Sequence, residues 1–496
     1  MNHDTPKIQT LLQQALAAYQ RRDAVQVTAC IRQVLAMDPD NADGYYLLGL
    51  NAALLERPEM ARTLLDKAIA RNPRQPYYHF NLSSVLSDLN QPELAEQSLL
   101  TAMALKPDLA EAHINLANLR MHRGELQLAR DGYQHGLQLD PNQIVGHYNL
   151  GVIFQESGDH QAALTQFDRA LQLDLTYAPA HMGRAASLLK TGRFMEGWPE
   201  YEWRFRLPNM APRICPVPRW DGSAPVGQRL YLYTEQGFGD AMMFVRFAPL
   251  VRALGATVLL ECRPELLTLF AASDLADQVT ARARDDQQPP PFAYDLHLPL
   301  MSLPAVLGIT LDNLPASTPY FTPPAARVAA WAARLGPKKG LRVALSWSGN
   351  PATPGHRDRS CTLHDLLPIT TLPGITFYSI QKGIPATQLT AELQQRHAII
   401  PLETDLTDFT ETAAALLHMD LLISTDTAVV HLAGGLNRPV WTLLHHANEW
   451  RWLEAHHETS PWYPSMRLFR QTTPGNWNSV ITPVRTLLAT LPAHPL

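Results

Sequence analysis

The chain is poor in the features that mark secreted, membrane-spanning or metal-bound proteins. Its 496 residues include only four cysteines, Cys30, Cys215, Cys262 and Cys361, too far apart to form a CxxC pair. That spacing argues against a disulfide frame or a cysteine zinc site and predicts reduced, mostly buried thiols. No run approaches the ~18 uninterrupted apolar residues of a spanning helix, so no integral membrane span is expected. The N-terminus, MNHDTPKIQTLLQQ, lacks a basic stretch followed by an apolar core, so no secretory signal is expected and the cytoplasm is the expected location. Neither charge dominates: 41 Lys and Arg against 46 Asp and Glu leave a net charge of −5, which argues against a nucleic-acid or polybasic membrane protein. No segment holds a dense Asp/Glu or His/Cys ligand set, so no metal and no other cofactor is predicted.

What is present begins with a repeat. Pro39, Pro73, Pro107 and Pro141 follow one another at intervals of 34 residues. Ala61, Ala95, Ala129 and Ala163 keep the same period, as do Leu48, Leu82, Leu116 and Leu150. Small residues in phase let paired helices approach, and the leucines fill the space between pairs. His79, His113, His147 and His181 also recur, at a position suited to packing and too widely spaced for one metal ion. Asn81, Asn115 and Asn149 also recur in register, and from the inner helix face they could hold the backbone of an extended peptide or pack one repeat on the next. The array resembles the tetratricopeptide family. It is expected over 1–206, ending in the aromatic cluster Trp198, Tyr201 and Trp203, which is apolar enough to cap the array by packing on the adjoining domain.

Residues 207–228, LPNMAPRICPVPRWDGSAPVGQ, form a proline-rich linker. Beyond it, strand-like and helix-like patterns alternate, restarting near 338, which predicts two Rossmann-like lobes, 229–337 and 338–496. The final helix, near Ser479 to Leu491, is expected to return to the first lobe. The predicted class is therefore α + α/β, an α-solenoid ahead of two α/β lobes.

The densest signal is DLLISTDTAVVHLAGGLNRPVWTLL, residues 420–444. It reads as strand, helix and strand, with Ser424, Thr425, Asp426 and Thr427 able to cap the helix and deliver it to a sheet's carboxyl edge. Ligands bind open α/β sheets at that edge, and helix N-termini favour phosphate. In the first lobe, Gly237 and Gly239 of QGFGD let backbone N–H groups approach a ligand, while Asp240 reads either as a functional carboxylate or as a helix N-terminal one. SWSGNPATPGHRDR, 346–359, carries Arg357 and Arg359 after a strand, which could neutralise a diphosphate or simply face solvent. Gln381 and Lys382 follow another strand toward the same cleft. His431 reads as a pocket residue or as packing of helix on sheet. The tail aromatics Trp450, Trp452, Trp462 and Tyr463 could stack on a base or close the second lobe.

Taken together, GFGDAMMFVRFAPLV, SWSGNP…HRDRS, SIQKG and DLLISTDTAVVHLAGGLNRPVW resemble the family 9, heptosyltransferase-type glycosyltransferases of GT-B fold, over roughly 229–490. The resemblance implies inverting, metal-independent transfer of a sugar from a nucleotide-sugar. It implies that Asp240 is the general base and that Asp426, Thr427 and Ala428 hold the donor phosphates. Gln381 stands where the family has an acidic residue near the nucleoside, and Ala428 where it commonly has glycine. The repeats suggest a protein or peptide acceptor. The alternatives are an inactive GT-B scaffold that only binds, and a sugar-nucleotide epimerase.

Overall fold

The computed structural model describes residues 5–208, 210, 212–282, 290, 292–315, 317–352 and 359–491. The chain divides into two compact units, residues 1–154 with 165–180 and residues 155–164 with 181–496.

In the first unit helices pair in chain order: Thr5–Gln20 with Ala24–Met37, Ala42–Leu54 with Pro58–Arg71, Pro76–Asp88 with Pro92–Leu105, and Ala110–His122 with Leu126–Leu139. Ala61, Ala95 and Ala129 are fully buried where the second helix of a pair meets the first. Within each pair, and again between Ile144–Glu156 and His160–Leu173 and between Ala178–Lys190 and Phe194–Tyr201, the chain turns through a left-handed residue. Arg22, Glu56, Asn90, Gly124, Gly158 and Gly192 have φ between 54° and 83°, again at intervals of 34 residues. Three of the six carry a Cβ that this conformation disfavours. Glu56→Gly is therefore expected to stabilise the array by about 0.5–1 kcal/mol, and Gly124→Ala to destabilise it by about as much. A Cβ on Gly124 meets nothing within 4 Å, so its cost is conformational alone. Urea midpoints at unchanged slope would check both variants.

The histidine ladder has a structural use. His79, His113 and His147 each donate from Nε2 to the carbonyl of Pro73, Pro107 and Pro141, at 2.9, 2.9 and 3.0 Å. Each ring thus closes the turn that begins its own repeat. Where proline gives way to Leu175, His181 Nδ1 lies 2.6 Å from Glu200 Oε2 and the ring stacks on Trp203, centroids 3.7 Å apart. The asparagines favour the packing alternative: Asn81 Nδ2 donates to Tyr46 Oη and Tyr77 O, and Asn149 Nδ2 to Asn118 Oδ1. Asn115 is half-buried.

The second unit contains two all-parallel sheets. The first holds β1 (Arg229–Tyr233), β2 (Thr257–Cys262), β3 (Gln278–Ala281) and β4 (Leu296–Pro299) in the order β3-β2-β1-β4. The second holds β5 (Leu341–Ser346), β6 (Ile375–Ser379), β7 (Ile400–Pro401), β8 (Leu421–Thr425), β9 (Val440–Leu444) and β10 (Met466–Arg470) in the order β10-β9-β8-β5-β6-β7. β5, β8 and β9 are buried along their whole length, which is why they read as continuous apolar runs. The strand order reverses between β1 and β4 in the first sheet and between β5 and β8 in the second. Those switch points open the crevices in which such sheets bind ligands.

Four expectations need adjustment. The helix pair expected to end the array groups with the second unit, where its aromatic end packs as expected: Phe194, Trp198 and Tyr201 share a core with Leu230, Leu232 and Phe244, and Trp198 Nε1 donates to Ile309 O at 2.8 Å. Helix Ala325–Leu335 packs on Phe409–Leu416 of the second lobe, through Arg327 to Glu411 at 2.5 Å and Trp331 Nε1 to Glu411 at 2.7 Å, so the lobe boundary falls before 325 rather than at 337. The sequence after GFGD, AMMFVRFAPLVRALG, reads as one amphipathic helix, but helix Phe238–Phe244 passes through a tighter turn before Ala248–Ala253, where Pro249 starts a new helix. The last helix, Asn478–Leu488, does not return to the first lobe. Its apolar residues Val480, Ile481, Val484 and Leu488 join Leu363, Leu366 and Ile369 beneath the second sheet.

Candidate active site

The loop after β1 and the loop after β8 leave the two switch points and meet. A Cβ placed on Gly239 would lie 2.9 Å from His431 Cδ2 and 3.5 Å from Ala428 Cα, so glycine is what lets the loops touch. Asp240 closes its own turn by accepting from Gly237 N at 3.2 Å, and its other oxygen accepts from Arg451. Arg451 is 8 % exposed and also pairs with Glu449, whose second oxygen accepts from Arg359 at 2.6 Å. Asp240, Arg451, Glu449 and Arg359 therefore form one chain of alternating charge. Burial lowers the Arg451 pKa, and Asp240 and Glu449 more than offset it, so the guanidinium is held firmly charged.

Asp426 and Thr427 stand at the end of β8. Asp426 Oδ2 accepts from Trp452 Nε1 at 2.8 Å. Burial, reinforced by Glu449, pushes the Asp426 carboxyl up to about 6. The expected side-chain cap is absent: Thr427 holds the N-cap position with extended backbone, but its hydroxyl lies 3.1 Å from Ser424 Oγ instead of on a helix N–H. The helix Ala428–Gly435 thus starts without a side-chain acceptor of its own. His431 is buried. Burial, then Arg451 and Arg246, hold it well below the usual imidazole range, so its ring is neutral. It lies 3.0 Å from Tyr463 Oη and stacks on Trp452 at 5.4 Å. Both contacts pack the helix against the tail aromatics.

Two further residues follow β6. Gln381 is buried and spends its amide on the loop after β5, accepting from Trp347 N and Ser348 N at 2.9 and 3.0 Å and donating to Ser348 O at 2.8 Å. It shapes the loop that carries Arg359. Lys382 is exposed and donates to Glu403 O at 2.8 Å, toward the β7 edge. Arg357 lies outside the described residues. Among the described residues no group of three His, Cys, Asp or Glu side chains is placed to hold a metal ion, and no helix is long and apolar enough to cross a membrane.

What sequence reasoning missed is Glu449, Lys190 and the ion pairs of Arg451, while it named the aromatic rings of the same tail. Trp450 and Trp452 are buried, as are Trp462 and Tyr463, so these rings close the lobe and present no open stacking face. Lys190, from the last helical pair, donates to Asn448 O, Asn448 Oδ1 and Glu449 O at 2.8, 2.6 and 3.1 Å and so fixes the backbone of this segment. Burial, with Arg470 nearby, pulls Lys190 from its ordinary 10.5 down to about 7. The unfolded chain keeps that proton at pH values where the folded chain has released it, so stability due to Lys190 rises with pH between about 7 and 10.5. In urea melts, the wild type is expected to gain on Lys190→Met between pH 7 and 9.5. A constant difference would contradict this.

Comparison with known proteins locates relatives of both parts. Residues 385–480 match the model of glycosyltransferase family 9 (heptosyltransferase), and residues 12–76, 80–144 and 148–196 match the tetratricopeptide repeat. Protein FlbA of Caulobacter vibrioides is 32 % identical over 336 residues, which are 63 % of this chain and 55 % of FlbA. The chain thus spans little more than half the length of that relative. Among solved structures, the Pseudomonas aeruginosa pilF protein is 20 % identical with a TM-score of 0.39, covering 42 % of this chain and 95 % of that one. TTC0263, a tetratricopeptide protein of Thermus thermophilus, is 20 % identical with a TM-score of 0.32, covering 37 % and 99 %.

Proposed function

Because the chain carries tetratricopeptide repeats ahead of a family 9 glycosyltransferase segment, we propose that it transfers a sugar from a nucleotide-sugar to a protein or peptide acceptor bound by the repeats. The observation that carries this reading is the meeting of the two switch-point loops, Gly237–Asp240 and Asp426–Ala428, beside Arg359 and Arg451. Two guanidiniums offer fork-shaped donors matched to a diphosphate. The backbone N–H groups at Thr427 and Ala428 open a helix and add its positive end. Together they would stabilise the charge that develops on the leaving nucleotide, which makes a metal ion unnecessary. Asp240, from the opposite lobe, would accept the acceptor's hydroxyl proton as that oxygen attacks the anomeric carbon. Attack from the face opposite the leaving group inverts the anomeric centre. Asp426 is a poor candidate for the base, because a carboxylate facing a diphosphate is repelled and this one is also engaged by Trp452.

A second reading, a scaffold that binds without chemistry, draws on one observation. Both Asp240 oxygens are engaged and the two loops are in van der Waals contact. A thermal-shift screen of UDP, GDP, ADP and CMP and their sugars separates the two readings. The transferase reading expects a rise in melting temperature with one base and its sugar conjugate, whereas no shift across the panel favours the scaffold.

A further inference from the structure

Glu449 is held as a bound anion would be held. Its two oxygens go to two different guanidiniums, Oε1 to Arg359 Nη1 at 2.6 Å and Oε2 to Arg451 Nη1. One of those guanidiniums, Arg451, is buried, while the Glu449 side chain is 35 % exposed. Lys190 pins the Glu449 carbonyl and Asn448, so the backbone is fixed and the side chain is the part able to leave. The pair sits beside the loop after β8, since Trp452, one residue beyond Arg451, donates to Asp426.

We infer that Arg359 and Arg451 form a diphosphate subsite and that Glu449 occupies it in the free protein as an internal anion, to be displaced by the donor. The inference rests on the donor-binding reading above and deepens it. A diphosphate carries more negative charge and more acceptor oxygens than one carboxylate, so it wins both guanidiniums when it enters. Arg451 then has less hold on Asp240, because it must share its donors with the incoming phosphate. The Asp240 oxygen that Arg451 now engages becomes available to an acceptor hydroxyl only after the donor is seated. The exchange orders the two substrates and guards the base while the site is empty.

Inorganic pyrophosphate is the direct probe, since it needs no knowledge of the base. Isothermal titration of the full chain at fixed ionic strength is expected to show Glu449→Gln binding pyrophosphate at least tenfold more tightly than wild type. Adding Arg359→Gln to that variant should reverse the gain. Wild type and Glu449→Gln binding with equal affinity would overturn the internal-anion inference and leave the donor site standing. No binding of pyrophosphate, UDP, ADP or GDP by either protein would overturn both. If Glu449→Gln fails to melt cooperatively, Arg359→Gln in the otherwise intact chain gives the reading instead. Weaker pyrophosphate binding than wild type supports the subsite, and unchanged binding overturns it.

Discussion

Asp240→Asn is expected to lower sugar transfer by about 10²- to 10⁴-fold, the usual contribution of a positioned general base. The substitution keeps the shape of the side chain and an oxygen able to accept from Gly237 N, so the turn that carries it should persist. What it removes is the negative charge that takes up a proton and that pairs with Arg451. Affinity for a nucleoside diphosphate should stay within a few-fold of wild type or improve, because Arg451 loses a competing anion. The expected signature is thus a fall in kcat without a matching rise in donor dissociation constant. Transfer within tenfold of wild type would remove Asp240 from the reaction.

The second large effect is on stability. Arg204, in the turn Glu202–Arg206 that ends the last helical pair, has no exposed side-chain surface. Its guanidinium meets Glu202 at 2.7 Å, Glu235 at 2.9 and 3.2 Å and Ser302 Oγ at 2.7 Å. Glu235 lies in the loop that leads from β1 to Asp240. Arg204→Met keeps most of the bulk and leaves Glu235 buried without its cation. Removing one partner of a buried pair costs about 3–5 kcal/mol. Burial already raises Glu235 above the usual carboxylate range with Arg204 in place, and without it the rise must be larger. A raised folded-state carboxyl means that the folded variant binds more protons than the unfolded one, so its stability falls as pH rises. The deficit of Arg204→Met, read from urea melts, should be greatest at pH 7–8 and shrink toward pH 5. A deficit below about 1 kcal/mol at pH 7 would show that the pair is not needed to hold the loop.

The repeats were legible because their signal is spread over many positions. A 34-residue period in proline, alanine and leucine survives local exceptions such as Leu175. The strands β8 and β9 and the helix between them were legible for the opposite reason, a short dense run with caps and a break at Pro439. Gly237, Gly239, Asp240, Asp426 and Ala428 follow from the rule that ligands gather at the carboxyl ends of parallel strands. Glu449, Arg451 and Lys190 do not, since they lie on irregular chain or at a helix end. They reach the site across 211 residues in the Arg451–Asp240 pair and 258 in the Lys190–Asn448 pair. No local periodicity encodes such pairings. Gln381 is ambiguous for a related reason, because a polar residue at a strand end signals equally a ligand contact and the hydrogen bonding of a buried loop, and the loop bonds are the ones the structure shows. His79, His113 and His147 show the same ambiguity, each ring closing a proline turn.

The central claim is that the two switch-point loops form one donor-using catalytic site. Its most direct test is release of nucleoside diphosphate from a panel of UDP-, GDP- and ADP-sugars, and of CMP from CMP-sugars, by the full chain in excess EDTA. Wild type should release nucleotide from the sugars of one base, with EDTA without effect, and Asp240→Asn should not. Release that requires a divalent cation, or that persists undiminished in Asp240→Asn, would contradict the account, as would no release and no binding across the whole panel.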